Sequence, residues 1–142
     1  MDNAVRIVSL SATLNAQVDD MLAQAIRDNS IKGLSPNNAA ILLLVPDTKP
    51  NVKAIALATG LTNISYNVAR LCNAGFLKVT RQPLDKRSLD VEITAQGFEA
   101  RHLLRQSLER QIGERTVDFA KMYAILDRIL YSAEQNRRES AA

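Results

Sequence analysis

The sequence has one cysteine and one histidine among its 142 residues. A single cysteine excludes an intramolecular disulfide and a zinc site built from several cysteines. The histidine, His102, is surrounded by leucines and arginines, and no cluster of histidines and carboxylates has metal-ligand spacing. No glycine-rich phosphate loop follows a predicted strand. The sequence therefore predicts a protein that is not an enzyme and that holds no metal or cofactor.

Long apolar runs are also lacking. The longest, Ala39 to Val45, is far shorter than the roughly 20 residues that a membrane helix needs. The amino end carries Asp2 and lacks the apolar run of a signal peptide. With 46% hydrophobic and 23% charged residues, the composition is that of an ordinary globular protein. We expect a single domain over residues 1–142 that does not interact with membranes.

Acidic residues are scarce in the middle of the chain. Residues 51–88 hold six basic residues and one acidic residue, so this segment has a charge of +5 within a chain of net charge +3. The basic residues are Lys53, Arg70, Lys78, Arg81, Lys86 and Arg87. A basic segment on an otherwise balanced chain indicates a nucleic-acid-binding face.

The first two helices follow from apolar spacing and a start signal. Residues 1–31 have a helical pattern, although Ser11 and Thr13 weaken it in the first half. Its apolar stripe consists of Leu14, Val18, Met21 and Ala25. Ser35 is a suitable N-cap before a proline at the first helical position, which predicts a second helix ending near Val45. Because this helix is apolar on nearly every side, we expect it in the core.

Three further helices are predicted from spacing and end signals. A short one covers residues 51–59. Thr94 caps another that extends to about Gln111 and is broken by Gly113. The last covers about 115–136 and precedes a frayed polar tail. Its apolar side consists of Phe119, Met122, Leu126, Ile129, Leu130 and Ala133. Met and aromatic residues at this spacing usually indicate core or interface packing.

A helix from Asn63 to Asn73 is the most informative of the set. Ile64, Val68 and Leu71 form its apolar stripe. The opposite face carries Tyr66, Ala69, Arg70 and Asn73, with Thr62 and Asn63 at the amino end. Either of these last two could cap the helix through its side chain, and Gly75 marks its end. A polar face with one arginine and no acid suits a recognition helix, although ordinary solvated helices can also have such a face.

Two short strands follow this helix. Leu77 and Val79 alternate with polar residues, and Leu89, Val91 and Ile93 do the same. The basic turn between them predicts a β-hairpin with Lys86 and Arg87 at its tip, within reach of phosphates or a minor groove. Asp85 could brace Arg87 through a charge-assisted pair.

The hairpin residues resemble those of a known family. Asp85-Lys86-Arg87-Ser88, followed by Val91-Glu92-Ile93-Thr94 and Gly97, resembles the D-x-R-S…V-x-L-T-x-x-G wing pattern of the MarR family of bacterial regulators. Leu71 with Gly75-Phe76-Leu77 is similar to the end of that family's recognition helix, and Leu34-Ser35-Pro36 to the start of an earlier helix. The turn between Leu61 and Ile64 is shorter than in the common family form.

The resemblance implies a fold that is mainly α with a small β-hairpin (α+β). A winged helix-turn-helix lobe would cover residues 34–94, and a helical dimerisation lobe would cover 1–31 and 95–136. The residues assigned to DNA binding are Thr62, Asn63, Ser65, Tyr66, Arg70, Asn73, Arg81, Lys86 and Arg87. Those assigned to dimerisation are Leu14, Val18, Met21, Met122, Leu126 and Ile129.

The function implied is that of a cytoplasmic, sequence-specific DNA-binding transcriptional regulator. We expect a repressor that acts as a homodimer on a palindromic operator of double-stranded DNA, with room for a small-molecule effector. The alternative is a winged-helix protein that mediates assembly or binds nucleic acid without sequence preference, because the fold alone does not decide function.

Overall fold

Six helices and one β-hairpin form the described part of the computed structural model, which comprises residues 2–59, 61–81, 83–84, 88–114 and 119–141. Side chains are described in these ranges except at 58–59, 119–123 and 125. The elements are α1 (Asn3–Asp28), α2 (Pro36–Leu44), α3 (Val52–Thr59), α4 (Ile64–Asn73), β1 (Leu77–Arg81), β2 (Leu89–Ile93), α5 (Ala95–Glu114) and α6 (Phe119–Ala141). The predicted fold class, mainly α with a small β-hairpin, is confirmed.

The chain divides into two compact units, Met1–Glu109 and Arg110–Ala142. The first contains α1 to α4, the hairpin and most of α5. The second contains the end of α5 and α6. The division into a winged helix lobe and a helical dimerisation lobe, which the resemblance implies, stays a prediction.

The starts of α1 and α2 are set by side-chain caps. Asp2 precedes α1, and its Oδ1 accepts a hydrogen bond of 2.8 Å from the amide of Val5. Ser35 Oγ accepts from the amide of Asn38 at 3.2 Å, and Pro36 occupies the first turn of α2. These caps satisfy amides that have no partner inside the helix. α1 continues through Ser11 and Thr13, the two residues that weaken its pattern.

One apolar core holds the first unit together. It includes Leu22 and Ala25 of α1, Ala39, Ile41 and Leu42 of α2, Ile55 of α3, Val68 and Leu71 of α4, Val91 and Ile93 of β2, and Leu104 of α5. The expectation that α2 lies in the core is confirmed, because Ala39, Ile41 and Leu42 are each 0% exposed. Burial of an isoleucine or leucine side chain in this way stabilises the fold by about 1.5–3 kcal/mol.

The hairpin is antiparallel, with Leu77 opposite Ile93 and Arg81 opposite Leu89. Leu77, Val91 and Ile93 are buried, as their alternation with polar residues predicts. The prediction is wrong for Val79, which is 38% exposed, and Leu89 is only half-buried. The amide of Val91 also donates to the carbonyl of Pro50 at 2.8 Å. The hairpin is therefore bonded to the segment that leads into α3, which fixes the wing against the helix-turn-helix.

Two predicted helix ends are wrong. α5 continues through Gly113 to Glu114, and α6 continues past Asn136 to Ala141. A glycine in an exposed helix costs only about 1 kcal/mol relative to alanine, so it need not end the helix. The tail after Asn136 is polar, but its arginines, glutamate and alanine are good helix formers.

Candidate nucleic-acid interface

The inner face of α4 is buried in the core of the first unit. Ile64 is 5% exposed, Val68 2% and Leu71 0%, which confirms the predicted stripe. The pattern missed Asn67, a polar residue on the same face that is also buried. Its Nδ2 donates to the carbonyl oxygen of Asn63 at 2.9 Å. This bond satisfies one donor of the buried amide and ties it to the turn before α4.

The turn before α4 differs from the prediction. Asn63 occupies the N-cap position, but its side chain makes no capping hydrogen bond, so the predicted side-chain cap is wrong. Its backbone is left-handed, with φ 56° and ψ 34°, a conformation that asparagine tolerates better than most residues. A left-handed residue changes the chain direction sharply, which suits a turn as short as this one.

The carboxyl end of α4 is closed by Gly75, as predicted. Gly75 has φ +88°, and its amide donates to the carbonyl of Cys72 at 3.0 Å. The amide of Phe76 donates to the carbonyl of Leu71 at 2.9 Å. This pair of bonds is the Schellman motif, which satisfies the last carbonyls of a helix. The chain leaves α4 in a defined direction and enters β1.

The T-x-x-G end of the wing pattern anchors this junction. Thr94 Oγ1 accepts from the amide of Gly97 at 3.0 Å and donates to the carbonyl of Gly75 at 2.6 Å. Thr94 thus caps α5, as predicted, and joins it to the end of α4. A Cβ on Gly97 would collide with the carbonyl oxygen of Phe76 and lie 2.8 Å from Cγ2 of Ile93. The first turn of α5 can therefore approach the α4–β1 junction only because residue 97 is glycine.

The residues near α4 that were assigned to DNA binding are all exposed, and we call them the α4 outer face. They are Thr62, Asn63, Ser65, Tyr66, Arg70 and Asn73. Arg70 Nη1 donates to the Tyr66 hydroxyl at 3.0 Å, and Arg70 Cζ lies 5.7 Å from the centre of the Tyr66 ring. Because α4 contains no acidic residue, this face presents hydrogen-bonding groups and positive charge.

Other basic residues of this region are exposed as well. Lys53 lies in α3, and Lys78 and Arg81 lie in β1. Asp85, Lys86 and Arg87 lie outside the described residues, so the predicted contact at the hairpin tip and its brace stay predictions.

A cleft of about 600 Å³ lies between the start of α3, α4 and the hairpin. It is lined by Asn51, Val52, Lys53, Ser65, Val68, Ala69, Cys72, Asn73, Val79, Ser88 and Leu89. Cys72, the one cysteine of the sequence, is half-buried. Its burial raises the pKa of the thiol above the usual value, which disfavours the reactive thiolate at neutral pH.

Arg101 of α5 is a positioning residue that the sequence did not suggest. Its Nη1 donates to the carbonyl of Val45 at 3.1 Å, and its Nη2 lies 2.7 Å from Oδ1 of Asp47. Its guanidinium also stacks on the ring of Phe98, with Cζ 5.0 Å from the ring centre. The two hydrogen bonds tie α5 to the turn that follows α2. Val45 and Asp47 are 56 and 54 residues from Arg101 in sequence, so no local pattern could indicate these bonds.

Within the described ranges, no group of three or more histidine, cysteine, aspartate or glutamate residues could hold a metal ion. The described helices also include none that is both long and apolar enough to cross a membrane.

Residues 46–97 match a family of winged helix DNA-binding domains. The sequence has no match among curated proteins.

Several solved structures are similar along almost the whole chain. The PcaV transcriptional regulator from Streptomyces coelicolor, in complex with its natural ligand, is 22% identical with a TM-score of 0.71, and the match covers 94% of this chain and 96% of that chain. A MarR-family transcriptional regulator from Rhodococcus sp. RHA1 is 20% identical with a TM-score of 0.72, covering 91% and 95%. Reduced AbfR bound to DNA is 13% identical with a TM-score of 0.76, covering 93% and 92%.

Two of these proteins are transcriptional regulators and the third is bound to DNA, which agrees with the prediction that the chain is not an enzyme. The matched winged helix domain contains α3, α4 and the hairpin, the elements that form the exposed polar face and the cleft. The predicted resemblance is thus confirmed: this chain is a winged helix protein with the fold of the MarR-type transcription regulators.

Proposed function

We propose that the protein is a sequence-specific DNA-binding transcription regulator, a repressor, that binds a palindromic operator as a homodimer. The observation that carries the proposal is the α4 outer face. It is exposed, rich in hydrogen-bonding groups, free of acids and placed on the second helix of a helix-turn-helix.

The chemistry of this face suits the edges of bases in a major groove. In helix-turn-helix docking the amino-terminal part of the second helix enters the groove, and here that part carries Asn63, Ser65 and Tyr66. The guanidinium of Arg70 can donate twice to a guanine, whereas the amide of Asn73 can donate to and accept from an adenine. Each such contact discriminates between bases by about 1–3 kcal/mol.

Basic residues around α4 would hold the protein on the phosphate backbone. Lys53, Lys78 and Arg81 are exposed, and Lys86 and Arg87 are assigned to the tip of the wing. Contacts to phosphates position a protein on the duplex but carry little sequence information. We therefore assign affinity to these residues and specificity to the α4 outer face.

The homodimer is supported by an apolar stripe that the single chain covers only in part. Along one face of α1, Ile7 is 65% exposed, Leu10 70% and Val18 42%, while Met21 is 6% and Ala25 0% exposed. Leu14, between them, is half-buried. The same stripe is thus covered at its carboxyl end and open at its amino end. A second copy of the chain would cover the open part, and its two-fold symmetry would match a palindrome.

α6 has apolar residues of the same kind. Leu126 is 42% exposed and Ile129 59%, and we assign both to the dimer interface together with the open part of the α1 stripe. The side chain of Met122 lies outside the described residues, so its assignment rests on the helical spacing alone.

A small-molecule effector completes the proposal. PcaV, whose fold this chain shares, was solved with its natural ligand. An effector would act by binding more tightly to one of two conformations of the protein, and so would shift the population that binds DNA.

Selection of bound duplexes from a random pool tests the proposal. The affinity of the selected duplex is then compared with that of a scrambled duplex of the same length and composition, at one salt concentration. A specific regulator should prefer the selected duplex by at least about a thousandfold, and a reporter gene placed behind that duplex should be repressed. Equal affinities would contradict the proposal and favour the alternative of non-specific binding or assembly.

A further inference from the structure

Tyr66 and Arg70 form a pair on the exposed surface of α4. They are four residues apart, so they lie one above the other on the same side of the helix. Arg70 Nη1 donates to the Tyr66 hydroxyl at 3.0 Å, and Arg70 Cζ lies 5.7 Å from the ring centre. Tyr66 is 61% exposed, so the pair is open to a ligand.

The hydrogen bond uses one end of the guanidinium and leaves another edge available. Arginine has five N–H donors in a planar fork. With Nη1 held by the tyrosine, Nε and Nη2 still offer two parallel donors along the other edge. A guanine presents two acceptors, O6 and N7, to such a pair of donors. The contact with Tyr66 therefore permits a bidentate contact and orients the edge that makes it.

The charge of Arg70 also stays available. Among the described residues, no carboxylate lies within salt-bridge distance of its guanidinium. An ion pair would hold the side chain but would compete with DNA for its charge. A phenol hydroxyl accepts one hydrogen bond and leaves the positive charge in place.

We propose that Tyr66 is a positioning residue, which selects the guanidinium orientation of Arg70 that reads a base. A free arginine side chain has many rotamers, and ordering it on binding lowers affinity. Tyr66 removes part of this loss by ordering Arg70 in the free protein. The inference rests on the proposed function, and it assigns Tyr66 a role that acts through Arg70 rather than through a base.

A double-mutant cycle on the DNA-binding step tests this role. The variants are Tyr66→Phe, which removes only the hydroxyl, Arg70→Ala, and the two together. The probe is the highest-affinity duplex selected from a random pool, with a second duplex altered at the base pair that loses discrimination in Arg70→Ala. Loss of one hydrogen bond of this kind should weaken binding of Tyr66→Phe by about 3- to 10-fold. The ratio of the affinities for the two duplexes, which differ at that one base pair, should fall as well.

The result in the Arg70→Ala background decides between positioning and direct contact. If Tyr66 acts through Arg70, adding Tyr66→Phe to Arg70→Ala should leave affinity unchanged within about twofold. An equal loss in both backgrounds would show that the hydroxyl contacts DNA by itself, and would overturn the inference. So would a Tyr66→Phe variant that binds both duplexes as the wild type does.

A measurement without DNA separates this inference from the proposed function. Nitrogen-15 NMR of the Arg70 guanidinium should show slower rotation of its amino groups in the wild type than in Tyr66→Phe. Identical rotation in the two proteins would overturn the inference, whatever the protein binds. If instead rotation slows as expected but no duplex is selected, the proposed function and the base-reading role both fail, and only the pairing in the free protein stands.

Tyr131→Phe in α6 provides the matched control. Tyr131 is 64% exposed, close to the 61% of Tyr66. Its hydroxyl accepts a hydrogen bond of 3.0 Å from Nε2 of Gln135, again four residues along a helix. Removing this hydroxyl deletes the same kind of bond outside the winged helix domain. Its DNA affinity should equal that of the wild type. An equal loss in Tyr131→Phe and Tyr66→Phe would show a general effect of deleting surface hydroxyls, which would also overturn the inference.

Discussion

The amino-terminal half of α1 and the outer face of α4 are both exposed, but their chemistry is opposite. Every residue from 3 to 13 is exposed in α1, and this half carries Val5, Ile7, Val8 and Leu10, which are 49–70% exposed. The α4 outer face carries amide, hydroxyl and guanidinium groups instead. Water solvates the α4 outer face well. Exposure of the apolar surface of α1 costs a free energy of roughly 25 cal/mol for each Å² of apolar area.

The difference shows that exposure alone does not identify a binding site. The inner face of α4 is buried in the core, so this helix is held in place while its outer face stays in water. The first half of α1 has no such support, and an isolated helix of this length is marginal in water. We infer that the two surfaces bind different partners. The partner of α1 is a second protein chain, and the partner of α4 is a nucleic acid.

The largest effect is expected from placing a charge on the open stripe of α1. Leu10→Asp would bury a carboxylate in both halves of the proposed symmetric interface, so its cost counts twice in the dimer. We expect the dimer dissociation constant to rise by at least about a hundredfold, or roughly 3 kcal/mol. Light scattering over a range of concentrations would measure this, with a wild-type mass of twice the 15.7 kDa chain.

Ser9→Asp is the control for this change. Ser9 is exposed and lies on the side of α1 opposite the stripe. The Ser9→Asp substitution therefore introduces the same charge away from the stripe. It should leave the dimer intact. If both variants stay dimeric, the open stripe is not the interface. The exposed half of α1 would then not be the surface that binds a second protein chain.

The second largest effect is expected at Gly97, which lets the first turn of α5 approach the junction between α4 and β1. Gly97→Ala would force a Cβ into the carbonyl of Phe76, and overpacking of this kind costs about 1–3 kcal/mol. Gly113→Ala is the control in the same helix, because nothing lies within 4 Å of its added Cβ. It should stabilise the helix by up to about 1 kcal/mol. Urea unfolding should therefore show a lower free energy of unfolding for Gly97→Ala and a higher one for Gly113→Ala, each relative to the wild type. Changes of the same sign would contradict the close contact proposed at Gly97.

Removal of Arg70 tests whether the polar face reads sequence. Arg70→Ala should reduce the preference for the selected duplex over the scrambled one by about 1–3 kcal/mol, or roughly 5- to 150-fold. Lys78→Ala, which removes an exposed charge of β1, should weaken both duplexes alike. Affinities for the two duplexes at one salt concentration measure the ratio. If the ratio is unchanged in Asn63→Ala, Tyr66→Ala and Arg70→Ala, then α4 does not read the DNA.

The smallest effect concerns the tip of the wing. Arg87→Ala should weaken binding to all sequences equally, because a phosphate contact carries no sequence information. Loss of one such contact should lower the slope of log affinity against log salt by about 0.9. Titrations at several salt concentrations measure this slope, and an unchanged slope and affinity would show that the hairpin tip does not touch the backbone.

Local sequence patterns determined a large part of this structure. The stripe of α4, the buried Val91 and Ile93 of β2, the Ser35 and Thr94 caps and the Gly75 stop were all predictable. Each depends on residues within a few positions of one another, where helical or strand geometry fixes which side chains are neighbours. For the same reason, the polar composition of the α4 outer face was predictable, and its assignment to DNA stays a proposal.

The tertiary structure alone decided the features that join distant segments. The tie from Arg101 to Asp47 and the contact of Gly97 with Phe76 connect residues that only folding brings together. The left-handed backbone of Asn63 before α4 was not predicted from the sequence, although asparagine tolerates that conformation. The predicted apolar stripe of α1 covers Leu14 to Ala25, and Ile7 and Leu10 extend it toward the amino end of the helix. Which half of it the chain covers depends on where the other elements end, and that leaves the amino-terminal half open to a partner.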